Sequence, residues 1–140
     1  MAYKDNSADW LFFAESDLRA AEALLEEAMY HLVCFHAHQT VEKSLKAILR
    51  HCQQSIPKTH DIVFLRSQVV AQKIFDQPSE NDAVFVSQFY MPTRYPDMLP
   101  GMLPDGLPGL KDARRALEIA GEFYAFARQW IESSTREKRA

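Results

Sequence analysis

The sequence has few cysteines and no second pair of metal-type side chains near them. Cys34 and Cys52 are the only cysteines among 140 residues, and no further Cys or His pair stands at the spacing of a structural zinc site. We therefore expect no metal site, no cofactor and two buried, reduced thiols.

Long apolar runs and an excess of positive charge are also missing. No window of about 20 uninterrupted apolar residues occurs, and the N-terminus MAYKDNSADW has no basic flank leading into an apolar run. We expect no membrane segment, no secretory signal and a cytoplasmic location. The net charge of −3 argues against coating nucleic acid by bulk charge. Residues 31–60 nevertheless sum to +3, so any anion site must be local.

The composition is that of a folded globular chain. Apolar residues make up 47% and charged residues 25% of the sequence, close to the averages for soluble domains. A chain of this length builds one domain with one core. Apolar residues recur every three or four positions, which predicts an all-α protein. The predicted helices lie near residues 7–28, 30–53, 60–75, 79–90 and 110–133.

Two segments depart from simple helical periodicity. Residues 84–86, Val-Phe-Val, equally suit a short strand, although Ser79 followed by Asp82 resembles a helix start and favours a helix. Residues 91–110 hold five of the seven prolines and three of the four glycines. No regular element can run through this segment, and loops of such length are usually functional or disordered.

The second helix has two opposed faces at 100° per residue. One face is apolar and belongs to the core. We also assign Trp10 and Phe13 of the first helix to the core. The other face is basic and contains His36, Gln39, Lys43, Lys46 and Arg50. For Lys46 and Arg50 we favour a solvated position, with Glu42 and Lys46 forming an ordinary exposed pair.

The last helix carries two apolar stripes, and the second of them is rich in aromatic residues. Its members are Ala116, Ile119, Phe123, Phe126 and Trp130. One stripe suffices for a core, and a second would leave a large exposed patch on a monomer. We therefore predict that part of this helix, with part of the first, forms a homodimer interface. The polar tail STREKRA is expected to fray.

Four sequence motifs lie on the predicted helices and in the segments between them. They are Trp10 with Asp17, Leu18 and Ala21; CFHAHQTVEKSLKAIL at 34–49; PKTHDI at 57–62; and TRYPD at 93–97. In these motifs the sequence resembles a HEPN domain. The resemblance implies an antiparallel bundle of four or five helices, usually a homodimer, that binds nucleotides or RNA. It also implies a possible small nucleotidyltransferase partner, and many members are the toxin or ribonuclease half of such a pair.

The sequence departs from the ribonuclease members of that family. Those members carry an Arg followed after four to six residues by a His. Here no Arg stands at that distance before any of the five histidines, His31, His36, His38, His51 and His60. We therefore assign no catalytic residue and favour binding over RNA cleavage.

The candidate phosphate and nucleotide site comprises Arg94, Lys43, Tyr95, His36 and His60. Arg94 lies between Pro92 and Pro96, whose rings restrict the backbone, and a guanidinium can engage two phosphate oxygens. Tyr95 can stack on a base.

Each of these residues also has an architectural interpretation, which for Lys43 is a place on a solvated helix face. Arg94 could pair with Asp97 or Glu42, Tyr95 could fill the edge of the core, and Thr59 or His60 could cap the third helix. His36 has an ordinary pKa suited to acid–base work, yet a helix His is more often structural.

Three functions remain open at this point. The leading one is a non-catalytic HEPN-type homodimer that binds nucleotide or RNA. The second is an endoribonuclease toxin of a toxin–antitoxin pair, in which His36 or His60 is the base and Arg94 stabilises the phosphate. The third is a protein-binding adaptor that uses the apolar last helix.

Overall fold

The first two helices form a long hairpin. Residues 4–90 and 106–139 are the part of the chain that this computed structural model describes. Helix α1 covers Ser7–Glu26 and α2 covers Tyr30–His51. A connection of three residues makes consecutive helices antiparallel neighbours. Within it Ala28 has φ 57°, and a left-handed residue cannot continue a right-handed helix. Helix α1 therefore ends before residue 28, the predicted boundary.

Two shorter helices follow, each started by a side-chain cap. Helix α3 covers Ile62–Ala71, and the carboxylate of Asp61 accepts a hydrogen bond from the Phe64 N–H at 3.0 Å. The expectation that Thr59 or His60 caps this helix is therefore wrong. Helix α4 covers Glu80–Ser87, and the Ser79 hydroxyl accepts from the Asp82 N–H at 3.1 Å. Residues 84–86 are thus helical, and the alternative of a short strand is excluded.

The last helix, α5, covers Leu110–Arg139 and extends six residues beyond its predicted end. As far as Arg139, the polar tail continues the helix instead of fraying. There the Thr135 hydroxyl donates to the Ile131 carbonyl at 2.8 Å, and the Arg136 guanidinium donates to the Ser133 hydroxyl at 3.2 Å. Within the described ranges the protein has five helices and no strand, which confirms the predicted all-α bundle. No helix in these ranges is long and apolar enough to cross a bilayer.

Helix α2 lies at the centre of the bundle. It packs along α1 and α5 and also contacts α3 and α4. Its core positions include Cys34, where burial and the nearby Asp112 raise the pKa of the thiol to about 12. Cys52 is only partly buried. Trp10 packs against the core. The placement of Phe13 in the core is wrong, because its side chain is 55% exposed.

Both apolar stripes of α5 are used within the chain. Ala116, Ile119 and Phe123 are buried, and Phe126 and Trp130 pack against the core as partly buried side chains. The bundle covers most of the aromatic stripe because α5 contacts α1, α2 and α4. An exposed stripe on α5 is therefore not available as the reason for a homodimer. The homodimer itself stays a prediction.

Candidate functional site

An acidic side chain of α1 joins two candidate residues of α2. Asp17 accepts a hydrogen bond from His36 Nδ1 at 2.9 Å through Oδ1, and from Lys43 Nζ at 2.6 Å through Oδ2. His36 and Lys43 lie seven residues apart, about two helical turns, so they project from the same side of α2. The structure thus brings these two predicted residues together around one carboxylate.

The electrostatics of this cluster favour an ionised Asp17. Burial by itself raises the pKa of the Asp17 carboxyl, but the hydrogen bonds and charges of His36 and Lys43 outweigh it, and the net pKa is lowered. An ionised carboxylate only accepts hydrogen bonds, so His36 Nδ1 carries the proton. The Nε2 of a neutral His36 is then an acceptor. Lys43 stays about a quarter exposed, which leaves its ammonium reachable from solvent.

A second carboxylate, that of Glu42, lies deeper and holds Lys46 of the basic face together with His60, which precedes α3. Glu42 Oε2 accepts from Lys46 Nζ at 3.0 Å, and Glu42 Oε1 accepts from His60 Nδ1 at 3.0 Å. The Glu42 and Lys46 side chains are only 5% and 8% exposed. The expectation of a solvated, ordinary surface pair is therefore wrong for Lys46. Its ammonium also lies 5.7 Å from the centre of the Trp10 ring.

The two remaining residues of this neighbourhood are His38 and Arg50. Burial lowers the pKa of His38, so it remains neutral. Its Nδ1 lies 3.2 Å from the side-chain oxygen of Gln39 and 4.0 Å from Glu42. Arg50 is partly buried and makes contacts within the chain, which corrects the expectation that it is solvated. Neither side chain is offered freely to a ligand.

An aromatic row connects the two carboxylate clusters. The Tyr90 ring stacks on His60 with centroids 4.3 Å apart and planes 17° apart. Tyr90 also lies 6.2 Å from Phe35, and Phe35 makes an edge contact at 5.3 Å with His36. The row therefore runs from His36 through Phe35 and Tyr90 to His60. His60, 53% exposed, is its solvent end.

Sequence reasoning missed Tyr90, Phe35 and the central role of Glu42. Tyr90 stands directly before the proline-rich segment, and that position is the signal that could have directed attention to it. The predicted residues Arg94 and Tyr95 lie outside the described residues. Their expected place beside Lys43 therefore stays a prediction. Of the remaining three, the structure links His36 to Lys43 through the shared carboxylate of Asp17 and places His60 at the other end of the aromatic row.

The arrangement can serve an anion and a flat ring at neighbouring positions. A partly exposed ammonium attracts phosphate oxygens, and exposed aromatic faces stack on nucleobases. Within residues 4–90 and 106–139, no group of three or more His, Cys, Asp or Glu side chains is arranged to hold a metal ion.

The chain is similar in fold and sequence to proteins of known structure. The crystal structure of TT1696 from Thermus thermophilus aligns with a TM-score of 0.72 at 28% identity, over 90% of this chain and 98% of that one. ST0689, an archaeal HEPN homologue, aligns with a TM-score of 0.69 at 25% identity, over 91% and 99% of the two chains. No curated protein matches. The HEPN domain matches residues 7–130, and this chain therefore belongs to the HEPN family.

Proposed function

We propose that this HEPN protein is a homodimer that binds a nucleotide or RNA without cleaving it. Lys43 and His36 would hold a phosphate, with Arg94 as a further donor, and the Tyr90–His60 pair would receive a base, with Tyr95 beside it. The observation that carries the proposal is the aromatic row, which ends in an exposed imidazole and begins at the basic cluster.

The phosphate step depends on how strongly Asp17 holds Lys43. At 2.6 Å the carboxylate neutralises much of the ammonium charge, so an incoming phosphate must share the lysine with Asp17. One such partly exposed contact gives weak, salt-sensitive binding. A guanidinium would add a bidentate contact. We therefore assign Arg94, which follows Tyr90 by four residues in the sequence, the larger share of phosphate affinity.

The base step depends on the outer face of His60. Tyr90 covers one face of this imidazole, and the half-exposed ring can take a base on the other. Stacking of this kind is worth about 1–3 kcal/mol per base and tolerates any sequence. Glu42 fixes the orientation of the ring through Nδ1, which reduces the entropy lost when a base settles on it.

Calorimetry of the purified protein with ATP, GTP and short single-stranded RNAs tests the proposal. We expect saturable binding that weakens by about tenfold in His60→Ala, the loss of one stacking contact. Lys43→Ala and Arg94→Ala should also weaken it and flatten its salt dependence. The matched control is Arg19→Ala, an exposed cation on α1 whose pairing with Glu15 is long at 3.9 Å. No heat with any ligand, or an equal loss in Arg19→Ala, would contradict the proposal.

A second candidate is an endoribonuclease with a divergent site. The observation in its favour is that Asp17 and Glu42 each hold the Nδ1 of an imidazole, His36 and His60. In a neutral imidazole with its proton on Nδ1, Nε2 is the proton acceptor. A base that takes the proton of a ribose hydroxyl needs such an atom. Incubation with labelled RNA separates the candidates. Cleavage that disappears in a folded His36→Ala variant would establish the ribonuclease and overturn the binding-only proposal.

The family also motivates a partner protein. We propose a small nucleotidyltransferase as that partner, and the alternative is an adaptor role toward some other protein. Co-expression with a nucleotidyltransferase encoded beside this protein, followed by size-exclusion chromatography, tests the pair. Co-elution supports it. Separate elution of both proteins, with this chain still dimeric, speaks against it.

A further inference from the structure

A small groove lies outside the proposed nucleotide site. It is formed where the connection between α3 and α4 meets the C-terminal half of α5, and its volume is about 260 Å³. The residues lining it are Phe75, Asp76, Phe126, Gln129, Trp130 and Ser133. The proposed nucleotide site uses none of them.

Three aromatic side chains form the walls of the groove. Phe126 and Trp130 lie one turn apart on α5, and Phe75 comes from the connection opposite them. Phe75 is 65% exposed, so the described chain leaves most of its ring open. In the described ranges no stacked or edge contact joins these three rings to one another. Since the rings have not closed on each other, the space between them is open to a ligand.

The Trp130 wall is held in place from behind. The His51 ring meets the indole edge to face, with centroids 5.6 Å apart and planes 88° apart. His51 is itself fixed, because Nδ1 lies 2.9 Å from an Asp5 carboxylate oxygen and Nε2 lies 3.3 Å from the Ser134 hydroxyl. Because His51 is held by the segment before α1 and by α5, the Trp130 ring that it contacts needs little ordering when a ligand arrives.

The charge of the groove determines whether a positive or a negative ligand is favoured. Asp76 is the charged residue of the lining, and in the described part of the chain its carboxylate forms no ion pair within 4.0 Å. Aromatic faces carry negative quadrupole density and attract cations. A carboxylate beside aromatic faces therefore repels phosphates and favours a positive group.

We propose that this groove binds an organic cation of the quaternary ammonium class, such as a trimethylammonium head group. Aromatic side chains with a neighbouring carboxylate are the surroundings in which such cations bind. A volume of about 260 Å³ is near the lower end of small-ligand pockets, roughly 300–1,000 Å³, so it suits a compact head group. Because the trimethylammonium group has no N–H to donate, its affinity comes from the aromatic faces and the charge of Asp76, without hydrogen bonds.

Choline chloride and tetramethylammonium chloride are the probes. Two-dimensional nitrogen–proton NMR spectra of the full-length protein resolve the indole N–H signals of Trp130 and Trp10. We expect a saturable shift of the Trp130 signal and no shift of the Trp10 signal. The neutral carbon analogue of choline, with a tert-butyl group in place of trimethylammonium, should bind about tenfold more weakly or not at all. Equal binding of the neutral analogue would overturn the proposal.

Variants of exposed groove residues provide the second arm of the test. Phe75→Ala and Asp76→Asn should each weaken choline binding by about fivefold or more. Asp76 has φ 64°, a conformation that Asn also tolerates, so the fold is retained. Phe64→Ala removes another exposed phenylalanine, one outside the groove lining, and should leave the affinity unchanged. No shift with either salt, or an equal loss in Phe64→Ala, would also overturn the proposal.

Discussion

Glu42 is the residue on which the buried charge of the bundle depends. Its carboxylate compensates the buried ammonium of Lys46 and orients His60. Glu42→Gln removes that charge and leaves Lys46 buried without its counter-ion. We expect the free energy of unfolding to fall by about 3–5 kcal/mol, as when one partner of a buried ion pair is lost. Urea unfolding at neutral pH measures the change.

The control for this prediction replaces both partners. In Glu42→Gln with Lys46→Met, no buried ion is left uncompensated, and most of the lost stability should return. A single variant as stable as the parent protein would show that Lys46 reaches water without Glu42, contrary to its 8% exposure.

Asp17 makes the stability of the protein depend on pH. Its folded pKa is lowered, since the hydrogen bonds from His36 and Lys43 outweigh the effect of burial. As the pH falls, the Asp17 carboxyl therefore binds a proton at a higher pH in the unfolded chain than in the folded chain. The ionised Asp17 contributes its full stabilisation well above the pKa of the unfolded chain, about 3.9. This contribution is lost as the pH falls from about 5 through the pKa of the folded chain. Urea midpoints between neutral and acid pH should fall accordingly.

Asp17→Asn separates this contribution from that of other carboxylates. The variant should be less stable at neutral pH, and its urea midpoint should depend less on acid pH than that of the parent protein. Asp5, whose pKa is also lowered, keeps some dependence in both proteins. Identical pH profiles for the two would assign the acid sensitivity to residues other than Asp17.

For single residues, the sequence predicted the side of a helix from which a side chain projects better than it predicted the partners of that side chain. His36 and Lys43 were placed together because helical pitch fixes the side from which they project. Their common partner Asp17 lies 26 positions from Lys43 in the chain, and such pairings depend on how two helices pack. The Glu42–Lys46 pair was predicted from its spacing, but its burial depends on neighbours that the spacing does not reveal.

The start of α3 illustrates prediction at the scale of the element. Thr59 or His60 was expected to cap this helix, and the structure places Asp61, the next residue, in that role instead. Asp61→Ala should cost about 1 kcal/mol of unfolding free energy, since the Phe64 N–H loses its acceptor. Thr59→Ala should cost less, because its hydroxyl accepts only from the Asp61 N–H in the preceding turn. Thermal unfolding of both variants gives the order, and the reverse order would show that Thr59 is the effective cap.

Helix ends were harder to predict than helix positions. Glycine usually marks the left-handed residue that follows a helix, but here that conformation falls on Ala28, Gln53 and Lys73. These residue types carry no such signal, so the predicted ends of the first three helices run past the observed ones by two to four residues. The predicted end of α5 fell short because a polar tail gives no apolar period to follow.

At the scale of the whole molecule, the apolar side chains that stay exposed on the described bundle differ from those expected from the sequence. In the aromatic stripe of α5, Ala116, Ile119 and Phe123 are buried, and Phe126 and Trp130 are partly buried against the core. Phe12 and Phe13 on α1, which make an edge contact at 5.5 Å, are instead 65% and 55% exposed. Periodicity could not reveal this, because it indicates that a stripe is buried without indicating what buries it.

The proposed homodimer should therefore use the Phe12–Phe13 side of α1 and not the aromatic stripe of α5. Light scattering of the purified protein should give about twice the chain mass of 16.1 kDa. Phe13→Glu places a charge on that side, and because the position is exposed the fold should survive while the mass falls to that of one chain. Val84→Glu, a half-exposed position on α4, should stay dimeric. A dimer that persists in Phe13→Glu would locate the interface on another face, and a monomeric parent protein would remove the homodimer from the proposed function.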